Sequence, residues 1–118
     1  MGDLTLDFSR HEFACKCGCG FDTINLKTVD ICQTLRNHFK RKITITSGCR
    51  CSKHNAEVGG SRRSQHLQGT AADVVVDEVD AQEVYDYLEL YSRELGLGGL
   101  GYYDSFTHLD VRQGRARW

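Results

Sequence analysis

The sequence predicts an α+β fold: a small, mainly antiparallel sheet covered by helices. Three observations carry this. Helical and strand periodicities are interleaved along the chain, the strand-like runs are few and short, and the last two adjoin around a turn, as in a hairpin. With 118 residues, 40% apolar and 26% charged, the chain has material for one domain, taken as residues 1–118.

The first element is a short helical turn at Ser9, where a Ser followed three residues later by Glu12 forms a capping-box pattern. Cys15-Lys16-Cys17-Gly18-Cys19-Gly20 is too glycine-rich to extend it. From Asn25, the apolar positions Leu26, Val29, Ile31, Cys32, Leu35 and Phe39 recur at three- and four-residue steps, the pattern of an amphipathic helix that covers a sheet. Lys42 to Thr46 alternates and is β-branched, which predicts a strand. A second short helix is expected over Lys53 to Val58, closed by Gly59-Gly60, and a buried strand over Ala72 to Val76. Asp80 with Glu83 opens a helix presenting Val84, Tyr87, Leu88, Tyr91 and Leu95 on one face until Gly96 stops it. Leu100 to Val111 reads as two strands around a turn at Asp104-Ser105.

Composition excludes several functions. The longest apolar run, around Val74 to Val76, falls far short of the roughly 20 residues of a membrane helix. The start Met1-Gly2-Asp3-Leu4 lacks a basic patch followed by an apolar stretch, so no signal segment is expected. With 15 basic and 16 acidic side chains there is no global field to attract nucleic acid, and Arg36 to Lys42 and Arg112, Arg115 and Arg117 read as solvated faces. Six cysteines and five histidines in so short a chain point to disulfides, metal or both. Proline is absent, so glycines and Asn/Asp residues must make the turns.

The informative stretches are Ser64-Gln65-His66 through Gly69-Thr70-Ala71-Ala72-Asp73, and Phe106-Thr107-His108-Leu109-Asp110. Two imidazoles and a carboxylate can hold zinc while leaving a fourth position for water, the composition of a catalytic site. Strand alternation puts His108 and Asp110 on one side. A lone histidine beside a strand is nevertheless more often a satisfied core or surface residue, and spacing alone leaves the two readings balanced.

Taken with Ser47-Gly48-Cys49-Arg50-Cys51, Lys53-His54-Asn55 and Val58-Gly59-Gly60, these motifs resemble, in order, those of the zinc D-alanyl-D-alanine carboxypeptidases. That superfamily includes phage endolysins that cut peptidoglycan stem peptides and shares its fold with the hedgehog signalling domain. The resemblance runs from Ser9 to Trp118, and Cys15 to Phe21 is similar to a segment of short, often phage-related members. It implies a hedgehog/DD-peptidase-like fold, one catalytic zinc held by His66, Asp73 and His108, and Arg50 as the group that holds a substrate carboxylate or steadies the oxyanion. A guanidinium suits a planar carboxylate on chemical grounds as well. It further implies a peptidoglycan peptide as substrate and action at a cell wall, by a phage protein released at lysis or an exported bacterial protein; a monomer is expected.

The chain departs from the family at the general base. Several relatives carry an acid three residues before the last histidine ligand, where this chain has Ser105. Asp110 is the preferred base, with Asp104 the alternative, although Asp110 equally suits the role of orienting a ligand imidazole. Tyr103, with Tyr102 and Trp118, is a candidate for the substrate groove, core packing being the default for aromatics. Prolines that many relatives carry are replaced by Ser52 and Asp104, which leaves the adjoining loops looser. Cys15, Cys17 and Cys19 alternate and, with Cys51 or Cys49, can bind a second, structural zinc; disulfides and buried thiols stand beside that reading, the last most natural for Cys32. Ser105 in place of the acid favours a competing function, a non-catalytic zinc-bearing module that binds a peptide or partner; a third reading is a cysteine-held zinc or disulfide module in which His66 and His108 are incidental.

Overall fold

The computed structural model describes residues 2–118. After a one-turn 3-10 helix at Arg10–Phe13, in which the Glu12 carboxylate accepts the Ser9 N–H at 2.7 Å, the first long element is α1 (Leu26–Phe39). The Asn25 side chain accepts from the Lys27 N–H at 2.8 Å and caps α1, while Val29, Ile31, Cys32 and Leu35 form its buried face. There follow β1 (Ile43–Ser47), α2 (Ser52–Glu57), a 3-10 turn at Gln65–Gln68, β2 (Ala71–Val76), α3 (Ala81–Leu90), α4 (Ser92–Leu95), β3 (Gly99–Tyr102), β4 (Thr107–Asp110) and β5 (Ala116–Arg117). Among the described residues no helix is long and apolar enough to cross a membrane.

The five strands form one sheet in the order β1-β2-β4-β3-β5, antiparallel throughout except for the parallel β3–β5 pair. The fold is therefore the expected α+β arrangement. Two details differ. The helix expected from Asp80 to Leu95 divides at Tyr91, whose backbone leaves the α region, so that Leu95 reaches the core while Tyr91 stays outside against Tyr87. The two-residue β5 is too short to leave a periodic signal in sequence.

Register decides what each face of the sheet carries. On one face Ala72 pairs with Leu109, and Leu109 with Leu100. With Val74, Val76 and Ile45 they form the core against α1 and against Val84 and Leu88 of α3. Thr28 and Thr107 fasten the helices to this face, donating to the Thr70 and Ala81 carbonyls at 2.7 and 3.3 Å. On the other face Asp73 pairs with His108, and His108 with Gly101. That face carries small residues where space is needed: a Cβ on Gly101 would run into the Trp118 ring, and one on Gly99 into the Asp110 carboxylate. Between Ile45 and Ser47 the β1 register shifts, a bulge that re-aims the chain as it enters the Ser47–Cys51 loop.

Leu109 is wholly buried between two strands whose opposite face carries the polar residues. Leu109→Ala is expected to lower stability by about 2–5 kcal/mol in urea unfolding, the range for a core Leu that leaves a cavity.

Candidate metal centre

Three elements converge on one point. His66 comes from the 3-10 turn at Gln65–Gln68, which the Ser64 hydroxyl caps and which ends at Gly69 in the left-handed region. Asp73 and His108 come from β2 and β4. All three are buried. Asp73 Oδ1 lies 3.2 Å from His66 Nε2 and 3.0 Å from His108 Nδ1.

The outer nitrogens of both rings are engaged. His66 Nδ1 sits 2.6 Å from the Gly48 carbonyl oxygen, which can only accept, so the ring proton belongs on that side. His108 Nε2 lies 2.7 Å from Asp110 Oδ2, which fixes its proton in the same way. In neutral rings the inner nitrogens therefore direct lone pairs at a carboxylate, an arrangement that a cation relieves. Tetrahedral ligands about 2.0–2.1 Å from zinc stand about 3.3 Å apart, close to the separations here. Donor chemistry and geometry both fit zinc.

Electrostatics keep the set anionic at its centre. Burial would raise the Asp73 carboxyl, but the hydrogen-bonding His108 and His66 rings outweigh it and hold the pKa at about 2. Burial acts downward on His108, and Asp110 and Asp73 carry its pKa above the ordinary imidazole value instead.

Asp110 stands behind His108, on the side of the ring away from Asp73. Its carboxylate is fully buried and accepts from the Gly99 N–H at 2.9 Å and from Arg112 Nε and Nη2 at 2.9 and 2.7 Å. Burial pushes its pKa up, but His108 and Arg112 overcome this and hold it well below the usual carboxylate range. A group so saturated, on the far side of the imidazole, is not placed to take a proton at the centre. This geometry suits the alternative role expected of Asp110, orienting the His108 ring. Asp104 does not replace it: it is exposed in the β3–β4 turn, beside the Tyr102 hydroxyl, and does not line the cleft.

The centre forms the floor of an open cleft of about 550 Å³. Arg50 lies on its wall, braced by the Ser47 hydroxyl on Nε at 2.9 Å and the Asn55 side-chain oxygen on Nη1 at 3.2 Å, with Nη2 3.4 Å from Asp73 Oδ2. Tyr103 stacks on Phe106 at 4.3 Å and takes a hydrogen bond from Trp118 Nε1 at 2.9 Å, and all three line the cleft. Thus His66, Asp73, His108, Arg50 and Tyr103 meet in one place, and Asp110 supports them from behind.

Sequence reading missed Arg112, which is no solvated arginine: it binds Asp110, lies over the Trp118 ring at 5.2 Å and lines the cleft. The two-residue step His108, Asp110, Arg112 was the available signal. Arg115 and Arg117 instead pair with Glu89. The Gly48 carbonyl left no signal, because a backbone acceptor has no residue type.

In comparisons with known proteins, the family model described as Peptidase M15 matches residues 6–110. No curated protein matches the chain.

Asp110→Asn is expected to weaken zinc affinity by about 10–100-fold without abolishing binding, measured by competition with a chelator. Unchanged affinity would show that Asp110 does not orient the ring.

Proposed function

The chain belongs to the Peptidase M15 family, whose members are zinc-dependent peptidases, and from that premise we propose that it hydrolyses peptidoglycan stem peptides. The reaction would be that of a D-alanyl-D-alanine carboxypeptidase or an endolysin-type endopeptidase, with His66, Asp73 and His108 as the zinc ligands. The observation that carries this reading is the convergence of those three side chains at the floor of a cleft whose walls bear Arg50, Arg63 and Arg112. Among the described residues Asp73 is the single carboxylate lining it, and in this reading its charge is taken up by the metal. Such a cleft favours an anionic peptide, and stem peptides carry free carboxylates.

Zinc bound by these ligands would supply a Lewis acid that lowers the pKa of a water towards ~7 and polarises the scissile carbonyl. The chain's own groups do the rest. Arg50, held on two sides by Ser47 and Asn55, presents its guanidinium to a substrate carboxylate or to the oxygen on which negative charge develops. His66 and His108 are kept in the tautomers that face the centre by Gly48 O and Asp110. Because the Tyr103 oxygen accepts from Trp118, its own proton is free to donate to the bound peptide.

One observation favours the second reading, a zinc-bearing module that binds without turnover. Among the described residues no carboxylate beyond Asp73 lines the cleft, and Ser105 occupies the position where several relatives carry the acid.

Zinc-loaded protein incubated with a stem pentapeptide and with purified peptidoglycan separates these readings. Release of D-alanine identifies the carboxypeptidase and shortened cross-linked peptides the endopeptidase, with His66→Ala reducing either to background. Intact substrates with saturable peptide binding would establish the binding module. Arg50→Lys is expected to lower kcat/KM by about 10–100-fold, a loss of about 1.4–2.7 kcal/mol, because the fork that matches a carboxylate is lost. An unchanged value would remove Arg50 from substrate recognition.

A further inference from the structure

Away from the cleft floor, a second cluster of ligating side chains has no part in the reading above. Cys15, Cys17 and Cys19 lie in the irregular segment before α1, and Cys51 lies at the start of α2. Their sulfurs gather around one point. Cys15 Sγ is 3.4 Å from Cys17 Sγ and 3.9 Å from Cys51 Sγ, and Cys17 Sγ is 3.6 Å from Cys51 Sγ. Cys19 completes a set whose four sulfurs all lie within 4.8 Å of one another.

These separations discriminate between the three states open to cysteines. A disulfide requires about 2.05 Å between sulfurs, and no pair in the cluster approaches it. Buried thiols serving as small apolar side chains describe Cys32 and Cys49, but Cys17 and Cys19 are exposed. Tetrahedral thiolates about 2.3 Å from zinc stand about 3.8 Å apart, which the three close pairs approach.

The backbone is shaped to the same end. Gly18 and Gly20 adopt φ values of 82° and 93°, which only glycine takes readily, and the Cys15 N–H donates to the Phe21 carbonyl at 2.8 Å. The loop thereby curls so that alternate residues return their sulfurs to Cys15. Two amides donate to sulfur from the other partner: Cys51 N–H to Cys15 Sγ and His54 N–H to Cys51 Sγ, each at 3.4 Å. Amide donors to sulfur stabilise thiolate charge. A segment without regular structure offsets the ordering cost of about 1–2 kcal/mol per residue poorly by itself, and a metal cross-link supplies what its sparse packing does not.

We infer that Cys15, Cys17, Cys19 and Cys51 form a structural zinc site, separate from the His66, Asp73 and His108 centre. It ties the N-terminal segment to the loop carrying Arg50. Four thiolates and no water position make the site closed, hence structural rather than catalytic. Soft ligands in a tetrahedral set select zinc over the hard divalent cations.

The test uses the full chain, purified under reducing conditions and loaded with zinc. Elemental analysis should give about two zinc ions per chain in the wild type and in Cys32→Ser, and about one in Cys17→Ser, in Cys51→Ser and in His66→Ala. The His66→Ala background isolates the cysteine site, so failure there is read apart from failure of the peptidase reading. Because the cysteine variants can lose their fold, cobalt replaces zinc in wild-type and His66→Ala protein as a second measurement. Sulfur-to-cobalt charge-transfer absorption and intense tetrahedral visible bands are expected in both. Absence of that absorption, iron in place of zinc, or thiols found paired as disulfides in the non-reduced protein would each overturn the site.

Discussion

The antiparallel register of β2 against β4 is the constraint on which the rest depends. Pairing Ala72 with Leu109 and Asp73 with His108 assigns the apolar pair to the helices and the polar pair to the cleft. A slip of one residue would reverse both assignments at once, burying a carboxylate and an imidazole among Val84, Leu88 and Leu35 and turning Leu109 to water. Core packing therefore specifies the site: the free energy that places Leu109 also places His108. The converse cost is met locally. Asp73, His108 and Asp110 are all buried, and among the described residues no buried side-chain polar atom lacks a partner.

The two-residue repeat of β4 also explains why the acid after the second histidine lies behind the imidazole rather than in the cleft. His108 and Asp110 leave the strand on the same side, but the imidazole reaches over towards β2 while the carboxylate is caught behind it by Gly99 N–H and Arg112. Glycine at 99 is what allows this, since any side chain there would occupy the carboxylate's place. Sharing a face is thus a weaker statement than sharing a pocket. The separation between the two is set by what the neighbouring strand leaves empty.

Most of the architecture was legible in the sequence: α1, β1 and α3 bury regularly spaced sets, while β2 and the β3–β4 hairpin, buried nearly throughout, show as short apolar runs between turn residues. That His66, Asp73, His108 and Arg50 share one cleft was legible through the order of their motifs rather than through spacing, which for a lone histidine carries little. What stayed hidden rests on tertiary placement. Arg112 gains its place from the space left at Gly99 and the ring of Trp118, and the helix from Asp80 divides at Tyr91, whose backbone leaves the α region before Leu95 packs on the core. The choice of Cys51 over Cys49 as the fourth sulfur depends on how the loop crosses the N-terminal segment, and one position in a loop has no period to betray it.

That loop, which leaves β1 at Ser47 and runs to Cys51, shows how a segment with little regular structure of its own can hold the Arg50 side chain still. Its residues are engaged in succession: Ser47 braces Arg50, the Gly48 carbonyl fixes the His66 ring, the Cys49 N–H donates to Phe13 O at 2.8 Å, the Arg50 N–H to His66 O at 3.0 Å, and Cys51 joins the sulfur cluster. Gly48 is required for the crossing, because a Cβ there would stand 2.6 Å from the Phe13 carbonyl. Loops that present functional groups ordinarily draw rigidity from the scaffold at their two ends. Here the constraints are distributed along the loop, and they come from opposite directions: the His66 turn on one side, the Phe13–Cys19 segment on the other. Displacing either flank would move Arg50 relative to Asp73, even though neither flank touches the guanidinium. The N-terminal segment is for that reason part of the machinery of the cleft rather than an appendage to it.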